Sequence, residues 1–385
     1  MKNTILATLS IYLLFWGCAP KTTVRTHVAK TVSKVETQVQ NDTIQHFTST
    51  PTHVGQPIPT NPRKYYWQAF KEIKAMLEQN KLDFKKAVFI TENAWFEDSM
   101  NYQAFDNQIQ GLAFLTKLYT KEKLIEYENP DSLQVKLNAA LFKLFSEESV
   151  ILIESKKIHH LPFKYDFEDF TGSKNWSSMF VLKLLATHKG NCHSMPFLYK
   201  ILALELKAKA WLAFAPHHIY IKSKCKKTGM YNTELTSNEF PTDAWIACSG
   251  YISTESIQSG IYMDTLSLKQ SVAYTLYDLA KSYQRKFGNE DGEFILNALN
   301  ELLKHYPNTI NALLLKASVL THLVQTNKLS EAEPQYQEME QTYTLINKLG
   351  YNEMPEQNYQ EWLKKLQTVK ADNHEINSIF KPKSK

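Results

Sequence analysis

Three features that define common protein classes are missing from this sequence. Its 44 Lys and Arg residues are offset by 39 Asp and Glu residues and form no long basic block, so we expect no nucleic-acid partner. The apolar run at residues 5–16 is shorter than the roughly 20 residues that cross a bilayer, which excludes a membrane span there. Cys192-His193 and His159-His160 are adjacent pairs that diverge in direction, and no second spaced pair completes a tetrahedral set. We therefore expect neither a metal site nor another cofactor.

The N-terminal segment has the pattern of a secretion signal. Gly17-Cys18 ends the apolar run at residues 5–16. A small residue directly before such a cysteine resembles the bacterial lipobox. The resemblance implies that residues 1–18 are a lipoprotein signal, and that lipid on Cys18 anchors an exported protein to a bacterial membrane, for which we expect the outer membrane. The alternative is an ordinary signal with an incidental cysteine. Residues 19–63 show no helical or strand period and are predicted to be a flexible tether.

From residue 64 onward the pattern predicts folded structure. An apolar content of 43% in 385 residues is enough for two folded units. Apolar residues with a period of 3.6 predict helices, and alternating or short apolar runs predict strands. The predicted helices lie at 66–77, 110–118, 133–145 and 177–187, with another beginning at Cys192. The predicted strands lie at 210–215, 219–222, 230–236 and 243–248. The sequence therefore predicts an α+β domain, helices plus an antiparallel sheet, over residues 64–260.

Cys192 stands where a reactive thiol is expected. It follows the Gly190-Asn191 break and begins a helix, and the amides at a helix N-terminus stabilise a thiolate, the nucleophilic form of cysteine. A thiolate also needs an imidazole to move protons, and the fold must bring that group close. His217-His218 stands at the head of a strand-like run, and the two rings would point to opposite faces if both belonged to the strand.

A third group is needed to orient the working histidine. Asn232 and Glu234 are two residues apart on the next strand-like run and therefore share a face. Either side chain can accept a hydrogen bond from a histidine ring, so both are candidates for the third member of a triad.

The order of these groups resembles the transglutaminase-like superfamily, whose fold is related to that of papain-like proteases. In that family a Gly-x-Cys opens a helix, a His begins a strand and an Asp lies on the next strand; here segments 190–199 and 215–221 carry the likeness. The resemblance implies that Cys192 is the nucleophile, that His218 is its base and that Glu234 replaces the usual Asp. It also implies acyl transfer, or amide or peptide hydrolysis, on a protein or peptide substrate.

The resemblance covers residues 165–249 and leaves several alternatives open. The same fold without catalysis would be a protein-binding scaffold tethered to a membrane. Cys225 and Cys248 can form a disulfide in an exported protein, or they can remain free thiols. Trp176 either lines a substrate cleft or belongs to the core.

The last part of the chain is predicted to be all helical. Helix pairs with small and aromatic residues at matching places over residues 261–385 resemble tetratricopeptide repeats, with a final helix at 358–366. The resemblance implies a short helical-repeat module that binds a protein partner; the alternative is a bundle that only stabilises the first domain. On the first of these helices, Asp278 is expected to face solvent.

Overall fold

The structure is a computed structural model that describes residues 61–153, 156–289, 292–354, 357–361, 364 and 374–380. The predicted signal with Cys18, and nearly all of the predicted tether, lie outside these residues. The described chain combines helices with small, mostly antiparallel sheets, so the predicted mixed α+β class is confirmed. Among the helices of the described residues, none is long and apolar enough to cross a membrane.

Between residue 61 and the first strand the structure describes four helices, and apolar residues at a spacing of three or four bury one face of each. In the first helix, for example, Tyr66, Ile73 and Leu77 are fully buried. Asp83 and Asn101 cap the second and third helices, because each side chain accepts a hydrogen bond from the backbone N–H three residues on. The four helices are Arg63–Glu78, Phe84–Trp95, Tyr102–Tyr119 and Ser132–Ser146.

In the part of the chain that the structure describes, seven short strands form three separate sheets. A hairpin joins β1 to β2, a two-residue parallel pairing joins β3 to β4, and β5, β6 and β7 form an antiparallel sheet in that order. Ala215 of β5 lies opposite His218 of β6, and Lys222 of β6 lies opposite Asn232 of β7. The strands are β1 Ser149–Ile153, β2 Lys156–His160, β3 Lys164–Tyr165, β4 Lys189–Gly190, β5 Ala210–Ala215, β6 His218–Cys225 and β7 Gly229–Thr233.

Two predicted elements differ from the structure. The helix predicted at 177–187 is a 3-10 turn, Trp176–Met179, followed by the helix Val181–Thr187, because Phe180 between them is extended (φ −95°, ψ 141°). The strand predicted at 243–248 is the helix Asp243–Ser249. Its N-cap is Thr242, whose hydroxyl accepts a hydrogen bond from the backbone N–H three residues on. A short helix, Thr254–Gln258, comes after it.

The helices described between residues 268 and 348 complete the same core as the first ones, whereas His374–Phe380 packs into a second cluster through Ile376 and Ile379. Tyr66 of the first helix makes edge-to-face contacts with Tyr283 and Phe294, at ring-centroid distances of 5.3 and 5.8 Å. One hydrophobic core therefore continues across residue 260, where the sequence predicted a domain boundary. These helices are Leu268–Phe287, Glu293–His305, Ile310–Asn327, Pro334–Lys348 and His374–Phe380, and residues 357–361 are also helical. We call Leu268–Phe287 the Asp278 helix.

Candidate active site

Cys192 lies in the turn that leads into the helix Ser194–Leu206, which begins two residues later than the sequence predicted, and Asn191 caps that turn. The Asn191 Oδ1 accepts hydrogen bonds from the backbone N–H groups of His193 and Ser194, both at 3.0 Å. The Asn191 carbonyl oxygen accepts the N–H of Met195 at 3.1 Å. Cys192 thus stands where helix amides carry partial positive charge, which favours a thiolate.

The close packing of Gly190 fixes the backbone before Cys192. A Cβ at position 190 would lie 2.7 Å from Leu184 Cδ1 and 2.7 Å from Ser194 Oγ, so a larger residue would force one of them to move. Pairing of β3 with β4 sets Tyr165 beside Gly190. Burial, and then the neighbouring Cys192, raises the pKa of Tyr165.

His218 begins β6, directly after the turn from β5, and its ring lies between Cys192 and Glu234. The distance from His218 Nε2 to Glu234 Oε2 is 2.5 Å. The Cys192 Sγ donates to the His217 carbonyl oxygen at 3.8 Å, and Cys192 is also close enough to His218 to raise the pKa of the ring. Because Glu234 takes Nε2, Nδ1 is the ring nitrogen that the carboxylate leaves available.

The charges in this triad stabilise one another. Burial opposes the charged form of His218, but the Glu234 carboxylate and hydrogen bonds to Cys192 and Glu234 raise the pKa of His218 to about 10. Burial likewise opposes ionisation of Glu234, but His218 and hydrogen bonds from the N–H and hydroxyl of Thr236 lower the pKa of Glu234. At neutral pH the ring is therefore protonated and the carboxylate ionised.

The two other candidates from the sequence lie differently. The Asn232 amide nitrogen donates to the Pro241 carbonyl oxygen at 2.9 Å and to Asp243 Oδ1 at 2.8 Å, which directs it away from His218. His217 is exposed in a left-handed turn conformation (φ 55°) and is not part of the strand. The structure thus brings together Cys192, His218 and Glu234, and it gives Asn232 other partners.

A second histidine–carboxylate pair, which the sequence did not reveal, begins at the residue after Cys192. His193 Nε2 lies 2.9 Å from Asp278 Oδ1, and His193 Nδ1 lies 2.9 Å from the Met179 carbonyl oxygen. The Met179 carbonyl accepts from Nδ1 and an ionised Asp278 accepts from Nε2, which favours the charged ring. Burial opposes this charge and also raises the pKa of Asp278, but Asp278 and the Met179 carbonyl raise the pKa of His193.

The position of Asp278 corrects the sequence prediction that it faces solvent. The Asp278 helix packs on the helix Phe84–Trp95. The Asp278 side chain contacts the buried His193, the residue after Cys192. Helical periodicity identified the core-facing positions of this helix. It could not show that a second element covers the polar flank.

A cavity of about 170 Å³ adjoins the triad. Cys192, His218 and Trp176 line it, together with Asp278 and Lys281 of the Asp278 helix. The Trp176 indole N–H is buried and has no hydrogen-bond partner among the residues that the structure describes. Trp176 is therefore a cleft residue with an unused donor.

The other two described cysteines lie apart from this cavity. Cys225 is buried and Cys248 is exposed, and both are free thiols. Cys225 Sγ lies 3.0 Å from the hydroxyl of Thr228.

Comparison of the chain with protein-family models, with curated proteins and with solved structures gives no match. Any functional assignment therefore depends on the residues of this chain and their geometry.

Proposed function

We propose that the protein is a transglutaminase-like cysteine acyltransferase or amidase. The observation that carries the proposal is the buried hydrogen-bonded pair of His218 and Glu234 next to Cys192, with the cysteine in the turn that leads into a helix and a cavity beside it. A nucleophile, a proton carrier and an orienting carboxylate in this relation are the parts that acyl transfer requires.

The first half of the reaction acylates the cysteine. The Cys192 thiolate attacks the carbonyl carbon of a carboxamide or peptide, forming a C–S bond. His218, which is protonated at neutral pH, gives its proton to the departing nitrogen as the C–N bond breaks. The indole N–H of Trp176 is suited to donate a hydrogen bond to the developing oxyanion, because its hydrogen-bonding capacity is unused.

The second half releases the acyl group. An amine or a water molecule attacks the thioester carbon while His218 takes up its proton, and the C–S bond breaks to restore the thiolate. An amine acceptor gives transfer, and water gives hydrolysis of a protein or peptide amide. Glu234 stays ionised throughout and orients the ring.

The proposal includes the parts of the chain beyond the triad. Lipid on Cys18 would anchor the exported protein in a bacterial membrane and hold the active site near substrates at that surface. The helices from residue 261 would add a tetratricopeptide-like surface for a protein partner.

The experiment is an acyl-transfer assay on a glutamine-containing peptide. Ammonia release is measured without an amine, and incorporation of a fluorescent primary amine is measured with one, by wild type and by Cys192→Ser. Activity that depends on Cys192 supports the proposal, and its division between amine and water distinguishes transferase from hydrolase. If wild type and Cys192→Ser are equally inactive on a panel of amides, the scaffold of the same fold is the better account.

A further inference from the structure

The cavity beside the triad contains a cation that the proposed reaction does not use. Lys281 lies on the Asp278 helix, one turn from Asp278, and lines the cavity with Cys192 and Trp176. Its side chain is half-buried, and its Nζ donates to Gln284 Oε1 at 2.7 Å. Within the described ranges, no carboxylate lies within ion-pair distance of Lys281.

The carboxylates that line the same cavity are occupied elsewhere. Asp278 pairs with the charged His193. Glu92 accepts the backbone N–H groups of Val181 and Leu182, at 2.7 and 2.9 Å. Burial raises the pKa of Glu92 to about 8, so it adds little negative charge at pH 7. Neither group neutralises Lys281.

Desolvating a cation without a counterion is unfavourable, and the charge state of Lys281 reflects that cost. Burial, and then the nearby charge of Arg285, lowers the pKa of Lys281. Arg285 itself donates to the Ser173 carbonyl oxygen at 2.8 Å, in the loop that precedes Trp176. An anion in the cavity would supply the partner that Lys281 lacks.

The size of the cavity limits the ligand. An apolar cavity of about 150 Å³ holds a molecule the size of benzene. A cavity of about 170 Å³ therefore has room for a short chain of a few carbon atoms.

We propose that the acyl donor carries a free carboxylate, which binds Lys281 inside the cavity while the scissile amide lies at Cys192. The substrate class is thus an amide of a short dicarboxylic acid, or an acidic acyl group of similar length on a larger molecule. This inference rests on the proposed acyl-transfer function, and it names the substrate class of that same site.

Binding is tested separately from turnover. Calorimetric titrations use the full chain with Cys192→Ala, and they compare glutaramate, which has one carboxylate and one amide, with neutral glutaramide. We expect glutaramate to bind about tenfold or more tightly, as a charge-assisted hydrogen bond allows. Lys281→Gln should remove the preference and Lys281→Arg should retain it. The matched control is Lys269→Gln, on the same helix but outside the cavity lining, which should behave like the parent.

Turnover then separates the two proposals. Ammonia release by wild type should be faster from glutaramate than from glutaramide. Equal binding of both compounds, or a preference that persists in Lys281→Gln, overturns the carboxylate site even when both compounds are hydrolysed. Selective binding without any ammonia release overturns the catalytic proposal and leaves the carboxylate site in place.

Discussion

The two histidine–carboxylate pairs near Cys192 are built in different ways. His218 and Glu234 are 16 residues apart; His218 begins β6, and Glu234 directly follows the last residue of β7. His193 and Asp278 are 85 residues apart and join the start of the cysteine helix to the Asp278 helix. His218 and Glu234, which we call the sheet pair, are positioned by a hairpin and the next strand. His193 and Asp278, which we call the helix pair, depend on packing across the whole core. Sheet register thus positions the proton carrier, and tertiary packing adds a second cation beside the nucleophile.

Breaking the sheet pair should have the largest effect on catalysis. Glu234→Gln removes the charge that keeps His218 protonated and oriented, and we expect kcat/KM for amide substrates to fall about 100-fold or more. Steady-state ammonia release measures this loss. Asn232→Ala is the matched control from the same strand region. A comparable loss in Asn232→Ala would show that the strand as a whole, and not the carboxylate, is required.

The sheet pair also predicts how stability depends on pH. The pKa of His218 is raised from 6.5 to about 10, so its contribution is fully present below pH 6.5 and is lost as pH rises through about 10. The free energy of unfolding of wild type should therefore fall over this window, by a few kcal/mol, and that of Glu234→Gln should fall less. Urea denaturation at a series of pH values measures both profiles. Cys192 is present in both proteins, so the difference between their stability profiles reports the interaction of His218 with Glu234. Parallel profiles would contradict the assignment of Glu234 as the partner of His218.

Breaking the helix pair should reduce reactivity without abolishing it. Asp278→Asn keeps a hydrogen-bond acceptor for His193 but removes the negative charge that favours its protonation. We expect Cys192 to react about threefold to tenfold more slowly with iodoacetamide, because a nearby positive charge is lost. Peptide mass spectrometry gives the rate at each cysteine. An unchanged Cys192 rate, in a variant that folds normally, would mean that this pair only holds two helices together.

The smallest expected effect is at Asn232. Asn232→Ala removes hydrogen bonds to Asp243 and to the Pro241 carbonyl, so we expect a stability loss of about 1 kcal/mol and little change in Cys192 reactivity. Denaturation and alkylation measured on the same sample test both parts. Loss of Cys192 reactivity greater than that in Glu234→Gln would restore Asn232 as the orienting residue.

The sequence has local signals for Cys192 and His218. Gly190 and Asn191 break one helix and start the next, and His218 heads an apolar run. The residues alone left Asn232 and Glu234 both open, since they occupy alternate positions of the same run, and the family resemblance favoured Glu234. The segment after β7 distinguishes the two residues in the structure, because Pro241 and Asp243 in that segment accept the hydrogen bonds of the Asn232 amide.

The helix pair had no local signal. His193 is next to a cysteine on a largely buried helix, and Asp278 is a single acid on an amphipathic one, which is the usual pattern of a solvent-facing residue. Their contact, and the place of Lys281 in the cavity, depend on how helices distant in sequence pack.

The helix at Asp243–Ser249 was missed because seven residues are too few for periodicity to separate helix from strand.

The most direct test of the proposed triad is the pH dependence of Cys192 alkylation, read by mass spectrometry in wild type and in His218→Gln. The exposed Cys248 serves as an internal control in each sample. We predict that wild-type Cys192 keeps most of its rate at about pH 6, where an ordinary thiol is nearly unreactive, and that His218→Gln loses this rate about tenfold or more. Cys248 should show the ordinary profile in both proteins. A wild-type Cys192 that titrates in parallel with Cys248, or that is unchanged by His218→Gln, would contradict the triad.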